Sequence, residues 1–362
     1  MGKRVFVGLS GGVDSALACA LLVERGYDVT AIYMRNWSRD LPGFKCPWAD
    51  ELADAERVAV SLGVDLEVWD FEQEYKDTVV DYLVDAYAHG RTPNPDVMCN
   101  QTIKFGSFAD RAFGQGADFI ATGHYARVEQ PSEKDGQARL LRAVDEHKDQ
   151  TYFLWRVGAE VFSRTLFPVG DIRDKAEVRR MCAERGLGVA NKPDSDGICF
   201  VGPVGIRTFL LDSLERRAGD IVEWETGKVL GHHDGAFLYT VGQRRGLDLG
   251  GGPARYVVST DVDANVVYVT ADRNCPGLWC HDLEVEDAHW VSGQPPRKGE
   301  LLVRTRHTGE LRRAVVEPLD AGRARVSFPE PVRTVAPGQS AVFYEGLVCL
   351  GGGIVAKSVA LG

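Results

Sequence analysis

Ser10-Gly11-Gly12-Val13-Asp14-Ser15 joins an apolar run, Arg4-Val5-Phe6-Val7-Gly8-Leu9, to an apolar-periodic stretch from Ala16 to Glu24. The first run reads as a buried strand and the second as a helix, so the six residues form the turn between them. Two consecutive glycines let backbone N–H groups approach an anion closely, the serine hydroxyls add donors, and the helix N-terminus contributes partial positive charge. No G-x-x-x-x-G-K-[ST] occurs, so the Walker lysine is missing. A loop that holds phosphates through backbone amides, with Asp14 available for Mg2+, suits a pyrophosphate that leaves whole better than a γ-phosphoryl group being passed on. The expected chemistry is adenylation by ATP. The plainer alternative is an ordinary glycine-rich turn of a doubly wound sheet.

Outward from this turn, strand and helix patterns alternate. Gly26 suits a C-cap, a strand follows from Asp28 to Met34, a helix from Asp50 to Leu62 ends at Gly63, and Leu66 to Asp70 is a further strand. A helix from about Gln73 to Ala88 precedes a turn-rich loop, Arg91 to Asp96. Lys104 to Gly114 reads as helix, and Asp118 to Thr122 as a strand ending in Gly123-His124-Tyr125. Such alternation predicts a parallel sheet covered on both faces, with ligands at the carboxyl ends of its strands. The phosphate loop and Gly123-His124 then share one crevice.

From about Gly205 helical patterns fade and short alternating runs appear, among them Val222-Glu223-Trp224 and Phe237-Leu238-Tyr239-Thr240-Val241. The last eighty or so residues are β-like throughout. The expected division is a catalytic α/β domain over 1–205, a small β-rich domain over 206–275 and a β-barrel over 276–362.

The net charge of −10 argues against a polyanionic partner, but its distribution does not. Thirteen acidic residues against three basic ones lie between Asp50 and Asp96, whereas Arg297 to Arg333 carries nine basic residues against five acidic. A nucleic acid can dock on the second stretch although the whole is acidic; a mixed-charge β surface is the bland reading. The eight cysteines are few and scattered, which disfavours a disulfide framework. Cys275, Cys280 and His281 hint at zinc, but their spacing suits no common site. No run approaches the length of a membrane span, and Met1-Gly2-Lys3-Arg4 enters the first strand directly, so a cytoplasmic location is expected.

Three segments together carry a family resemblance: Ser10 to Ser15, Thr92-Pro93-Asn94-Pro95-Asp96-Val97-Met98-Cys99-Asn100, and Asp194-Ser195-Asp196-Gly197-Ile198-Cys199-Phe200. Along with Ala121 to Tyr125, Lys148-Asp149-Gln150, Tyr239 to Arg244 and Pro337-Gly338-Gln339, they resemble the bacterial tRNA-specific 2-thiouridylases over the whole chain. The resemblance implies an N-type ATP pyrophosphatase fold, related to the adenine nucleotide alpha hydrolases, and thiolation of the wobble uridine in tRNAs for Lys, Glu and Gln. It implies a persulfide on Cys199, attack by Cys99 with a transient Cys99–Cys199 disulfide, and Asp96 as general acid/base. Adenine-nucleotide contacts would come from Gly8 to Ser15, Met34 and Gly123. Contacts to the target base and tRNA would come from Asn94, Pro95, Asp96, His124, Lys148, Asp149, Gln150, Arg304, Thr305 and Gln339.

The resemblance also implies an upstream sulfur donor, a cysteine desulfurase or relay protein. Cysteines and a carboxylate serve a persulfide route or a [4Fe-4S] cluster route alike, so both stay open. The proximity of Asp96 would raise the Cys99 thiol pKa, so activation calls for a cation or helix terminus that the sequence does not identify. Ala16 stands where a second serine often follows the loop. Two rival readings remain: another adenylating enzyme of amidotransferase-synthetase type, which has no use for two such cysteines, and a non-catalytic RNA-binding adaptor, which has no use for Asp14, Asp96, Cys99 and Cys199.

Overall fold

A computed structural model of the chain describes residues 2–40, 45–131, 136–194, 201 and 205–361. In the first domain β1 (Arg4–Gly8), β2 (Asp28–Arg35), β3 (Asp65–Asp70) and β4 (Phe119–Ala121) are parallel. A hairpin, β5 (Ala126–Glu129) and β6 (Arg139–Arg142), then leaves the sheet, and the short β7 (Thr165–Leu166) completes it in the order β3-β2-β1-β4-β7.

Alternation along β1 decides what each face buries. Val5 and Val7 pack with helices Val13–Glu24, Trp48–Leu62 and Lys175–Glu184, while Phe6 points the other way into a core shared with the helical runs 72–88 and 95–114. The order of strands reverses at β1, between β2 and β4, which is where such a sheet forms a crevice at its strands' carboxyl ends.

The second domain is a four-stranded sheet of β8 (Gly219–Glu223), β9 (Val229–His233), β10 (Tyr256–Asp261) and β11 (Val266–Thr270). The third is a six-stranded antiparallel barrel of β12 (Trp279–Trp290), β13 (Gly299–Arg304), β14 (Arg312–Leu319), β15 (Arg323–Arg333), β16 (Ser340–Glu345) and β17 (Val348–Ala360). Pairing of β12 with both β15 and β17 closes it. The fold class is therefore the expected one.

Three local expectations differ, and one pairing is unforeseen. The segment 237–241 is not a strand: Ala236–Leu238 is a single 3-10 turn held between Gly235 and Gly242, both at positive φ. Helical structure does not fade at Gly205, because Gly205–Ser213 is a helix that buries Phe209 and Leu210. Helix Pro95–Cys99 begins nine residues before Lys104, so Pro95 to Cys99 are not loop residues. Finally β6 hydrogen-bonds to β17, so a hairpin of the first domain extends the barrel's sheet.

Candidate active site

The phosphate loop is shaped by close approach. Gly11 has φ +74°, and a Cβ there would meet the Glu51 carbonyl oxygen at 2.3 Å, so no other residue fits without displacing the neighbouring helix. A Cβ on Gly123 would lie 2.6 Å from the Ser15 nitrogen, which sets the turn after β4 directly against the N-terminus of helix Val13–Glu24. Ser15 Oγ donates to the Gly12 carbonyl at 3.0 Å and accepts from the Ser10 N–H at 3.2 Å, fixing the loop from inside. Leu9 N–H donates to the Ile32 carbonyl at 2.8 Å, and Gly8 abuts Met34. Met34 thus flanks the loop from β2.

Ion pairs surround this loop. Lys175 Nζ lies 2.8 and 2.7 Å from the two Asp14 carboxylate oxygens and 2.9 Å from Asp194 Oδ1. Asp194 also pairs with Lys148 at 3.2 Å and Arg179 at 2.8 Å, and against the cost of burial Lys175 and Lys148 hold its carboxyl below the usual range. Lys192 Nζ donates to Asp54 at 2.6 Å and to the Gly11 carbonyl at 3.1 Å. Tyr125 donates its hydroxyl to Asp14 at 2.8 Å, and burial pushes its pKa up. The sequence pointed to Asp14 for Mg2+ but not to Lys175, Arg179 or Lys192. These three follow no motif and are recognisable only once helix Lys175–Glu184 is folded against the loop.

The other end of the crevice is apolar. Asn94 caps helix Pro95–Cys99, its Oδ1 accepting from the N–H groups of Asp96 at 3.1 Å and Val97 at 3.4 Å, with Pro95 in the first turn. Asn94 and Pro95 therefore fix where Asp96 and Cys99 stand. Cys99 is buried, and desolvation pushes its thiol pKa up, as does Asp96, while Lys104 pulls it down. Asp96 is open to solvent on one side but crowded by protein on the others, which raises its carboxyl pKa against the pull of Lys104. His124 is buried against Phe105 and Phe167, with ring centroids 5.7 and 6.0 Å away. Its Nδ1 shares a 2.8 Å hydrogen bond with Thr122 Oγ1, and burial keeps the imidazole neutral. Asn100 gives its Nδ2 to the Phe153 carbonyl at 3.1 Å. Its Oδ1, like Gln101 Oε1, is buried with no partner among the described residues.

The turn Thr122 to Tyr125 joins the two ends: Gly123 touches the phosphate loop, Tyr125 holds Asp14, and His124 faces Phe105 beside Lys104. Cys199, with the rest of 195–200, lies outside the described residues. Among the described residues no three His, Cys, Asp or Glu side chains converge as a metal site. Cys280 sits in the barrel core and Cys275 in a small cluster with Val258 and Leu278.

The residues expected to meet tRNA are distributed unevenly. Asp149 is buried and accepts from Arg304 Nη1 at 2.9 Å, with Arg142 Nε at 3.6 Å, so this pair ties the first domain to the barrel. Gln150 exchanges two bonds with Tyr125, Oε1 accepting at 2.9 Å and N–H donating at 2.8 Å. Thr305 accepts from Tyr152 through its carbonyl at 3.2 Å, and Gln339 donates to the Thr92 carbonyl at 2.8 Å. Lys148 is exposed, as is Arg306 beside the buried Arg304.

Three family models match in this order: "tRNA methyl transferase HUP domain" over residues 3–203, "tRNA methyl transferase PRC-barrel domain" over 207–271 and "Aminomethyltransferase beta-barrel domain" over 280–355. Relatives match almost end to end. The tRNA-specific 2-thiouridylase MnmA of Idiomarina loihiensis is 44% identical over 99% of this chain and 97% of its own. That of Cupriavidus metallidurans is 45% identical over 98% and 99%, and that of Geobacillus thermodenitrificans 44% over 97% and 94%. Identity at this level across all three domains, with the phosphate loop and the Asp96–Cys99 helix on one crevice, means that the chain belongs to the tRNA-specific 2-thiouridylase family.

Proposed function

We propose that this protein uses ATP to convert the C2 carbonyl of the wobble uridine in tRNAs for Lys, Glu and Gln into a thiocarbonyl. The observation that carries the reading is the turn Thr122 to Tyr125, which links the glycine-rich loop at Asp14 to the surroundings of Lys104 and the buried Cys99. The matched family descriptions speak of methyl transfer; a phosphate loop ringed by lysines and a carboxylate three residues before a thiol are parts that sulfur transfer uses.

The first step activates a poor leaving group. Asp96, its carboxyl pKa raised, takes the N3 proton; the uridine O2 attacks the α-phosphorus; the α–β bridging bond breaks and pyrophosphate leaves into the loop. Asp14 would hold the Mg2+ that accompanies the triphosphate, releasing Lys175 to the phosphates. Magnesium neutralises phosphate charge there.

The second step delivers sulfur. The Cys99 thiolate attacks the inner sulfur of a Cys199 persulfide, forming the Cys99–Cys199 bond and expelling the outer sulfur as hydrosulfide. Hydrosulfide adds to C2, the C2–O bond breaks and AMP leaves with the electron pair; the sulfur-bound proton then moves to N3. A thiol reductant supplies two electrons to reopen the disulfide, and a cysteine desulfurase or relay protein reloads Cys199. The wobble base must be splayed from its loop to reach Cys99, which single-stranded RNA permits at modest cost.

ATP–pyrophosphate exchange tests this reading. It should require tRNA and persist in Cys99→Ser. Exchange that needs a small carboxylic acid instead would identify an amidotransferase-type synthetase, and no exchange under any condition would identify an adaptor.

A further inference from the structure

The helix that carries Cys99 changes register immediately after it. Pro95–Cys99 is α-helical, but Asn100–Ser107 is a π-helix. Two contacts mark the wider turn independently. Ser107 Oγ donates to the Thr102 carbonyl five residues back at 3.3 Å. A Cβ on Gly106 would lie 2.8 Å from the Gln101 carbonyl oxygen, also five residues back, so glycine is what lets this turn close.

The register decides where Lys104 stands. Residues five apart on an α-helix lie roughly 140° around the axis from one another. In a π-turn, where each bond spans five residues, they come round to much the same side. The change therefore turns Lys104, five residues after Cys99, toward the side of the helix that carries Cys99. Ile103 and Phe105 on either side are buried, which anchors the half-buried Lys104 at that position. Among the described residues it is the cation whose field falls on Asp96, Cys99 and His124 together.

We propose that Lys104 is the positioning cation of the sulfur-transfer end, held by the π-turn so that its ammonium stabilises the Cys99 thiolate. Asp96, open to solvent on one side, gives up the N3 proton after adenylation; when the Cys99 S–H bond then breaks the proton passes to Asp96, and the thiolate faces a fixed positive charge in apolar surroundings. The proposal rests on the reading of Cys99 as nucleophile only for its consequence. The measured quantity, thiol acidity, needs neither tRNA nor turnover.

The test is the pH profile of Cys99 alkylation, resolved by mass spectrometry, in wild type, Lys104→Met and Lys104→Arg. An opposite charge within about 4–6 Å lowers a pKa by one to three units, so Lys104→Met should move the profile up by about one unit. At pH 7 the rate should fall only about threefold, because the more basic thiolate is also the stronger nucleophile. Lys104→Arg should restore the profile. The other cysteines serve as internal controls and should keep theirs. Coincident profiles for wild type and Lys104→Met overturn the proposal, as does a shift in Lys104→Met that arginine fails to rescue, since that marks a packing role. If tRNA affinity falls while the profile stays fixed, Lys104 is an RNA contact and the proposal is wrong.

Discussion

The two ends of the crevice handle charge in opposite ways. Around the phosphate loop three carboxylates, Asp14, Asp54 and Asp194, are each matched by Lys175, Lys192, Lys148 or Arg179. Cys99 instead shares a buried apolar cluster with Val97, Ile103, Phe105, Phe162 and Phe167, and Lys104 is the cation that acts on it among the described residues. On the proposed reading the first arrangement suits a polyanion that exchanges partners: lysines that hold carboxylates here would turn to phosphate when it arrives. The second makes any charge costly, so a thiolate forms there only where Lys104 and the substrate compensate it.

The sharpest way to break this comparison is to remove one end and ask whether the other still works. Cys99→Ser should lower thiolation by about 10³-fold or more, as loss of a nucleophile does, while leaving tRNA-dependent pyrophosphate exchange near wild type. Asp14→Asn should abolish exchange and leave Cys99 alkylation unchanged. Loss of both readouts in both variants would show that the ends are one cooperative unit. Next in size, Lys175→Met removes a preplaced donor to the leaving pyrophosphate and should slow exchange by about 10²-fold. Its thiol end should again be untouched.

Legibility in the sequence follows the same division. The phosphate loop is local: strand, glycine pair and helix lie within twenty or so residues, so Gly8 to Ser15 could be read directly. Two of the ion pairs around it, Asp14 with Lys175 and Asp54 with Lys192, join residues more than a hundred positions apart, and no spacing announces them. At the thiol end Pro93 and Pro95 suggest a loop, and they hide that Asn94 is a cap and Pro95 a first-turn residue. Reading the helix from Asn94 would have put Asp96 and Cys99 on it one turn apart; only Lys104 would still have been missed, because its place depends on the π-turn. Arg304 illustrates the converse. Charge counting marks it as a surface cation, whereas folding buries it on Asp149.

Acid should separate the ends by pH. His124, His233, His289 and His307 are all held below the ordinary 6.5 by burial, so the native state binds fewer protons than the unfolded chain below that pH. Their stabilising contribution is complete above pH 6.5 and is lost as pH falls, by up to about 1.4 kcal/mol per pH unit for buried His124 and less for the half-buried others. At the nucleotide end, against the cost of burial, Lys192 and Arg57 hold Asp54 below 3.8, and lysines do the same for Asp194. That contribution is lost only as pH falls below 3.8. Asp96, raised above 3.8, works the other way within 95–107 and offsets part of this in the wild type, so in Asp96→Asn amide exchange, corrected for its intrinsic pH dependence, should speed up over 95–107 between pH 6.5 and 4 before it does over 13–24. Parallel acceleration of both segments would remove the electrostatic distinction.

The smallest effect tests why the thiol end depends on the other two domains. Thr92, two residues before the Asn94 cap, is held from outside: its N–H donates to the Pro337 carbonyl at 2.7 Å, its carbonyl accepts from Gln339 Nε2 at 2.8 Å, and its hydroxyl meets that of Thr240 at 3.0 Å. Arg91 pairs with Glu286 of the barrel, and Gly338 approaches so closely that a Cβ would lie 2.8 Å from the Thr92 nitrogen. Helix Pro95–Cys99 therefore starts from a point that the barrel and the central domain fix, whereas the phosphate loop is fixed within its own domain. A single neutral hydrogen bond contributes about 1 kcal/mol, so Gln339→Ala should lower kcat for thiolation about fivefold while pyrophosphate exchange holds. Thr240→Val should do likewise, and because both bonds act on Thr92 the double variant should fall short of the product of the two effects. A direct contact of Gln339 with RNA predicts the other pattern, a raised KM for tRNA at constant kcat, and strict multiplicativity with Thr240→Val. Steady-state kinetics of the three variants decide between a residue that places the thiol and one that holds the substrate.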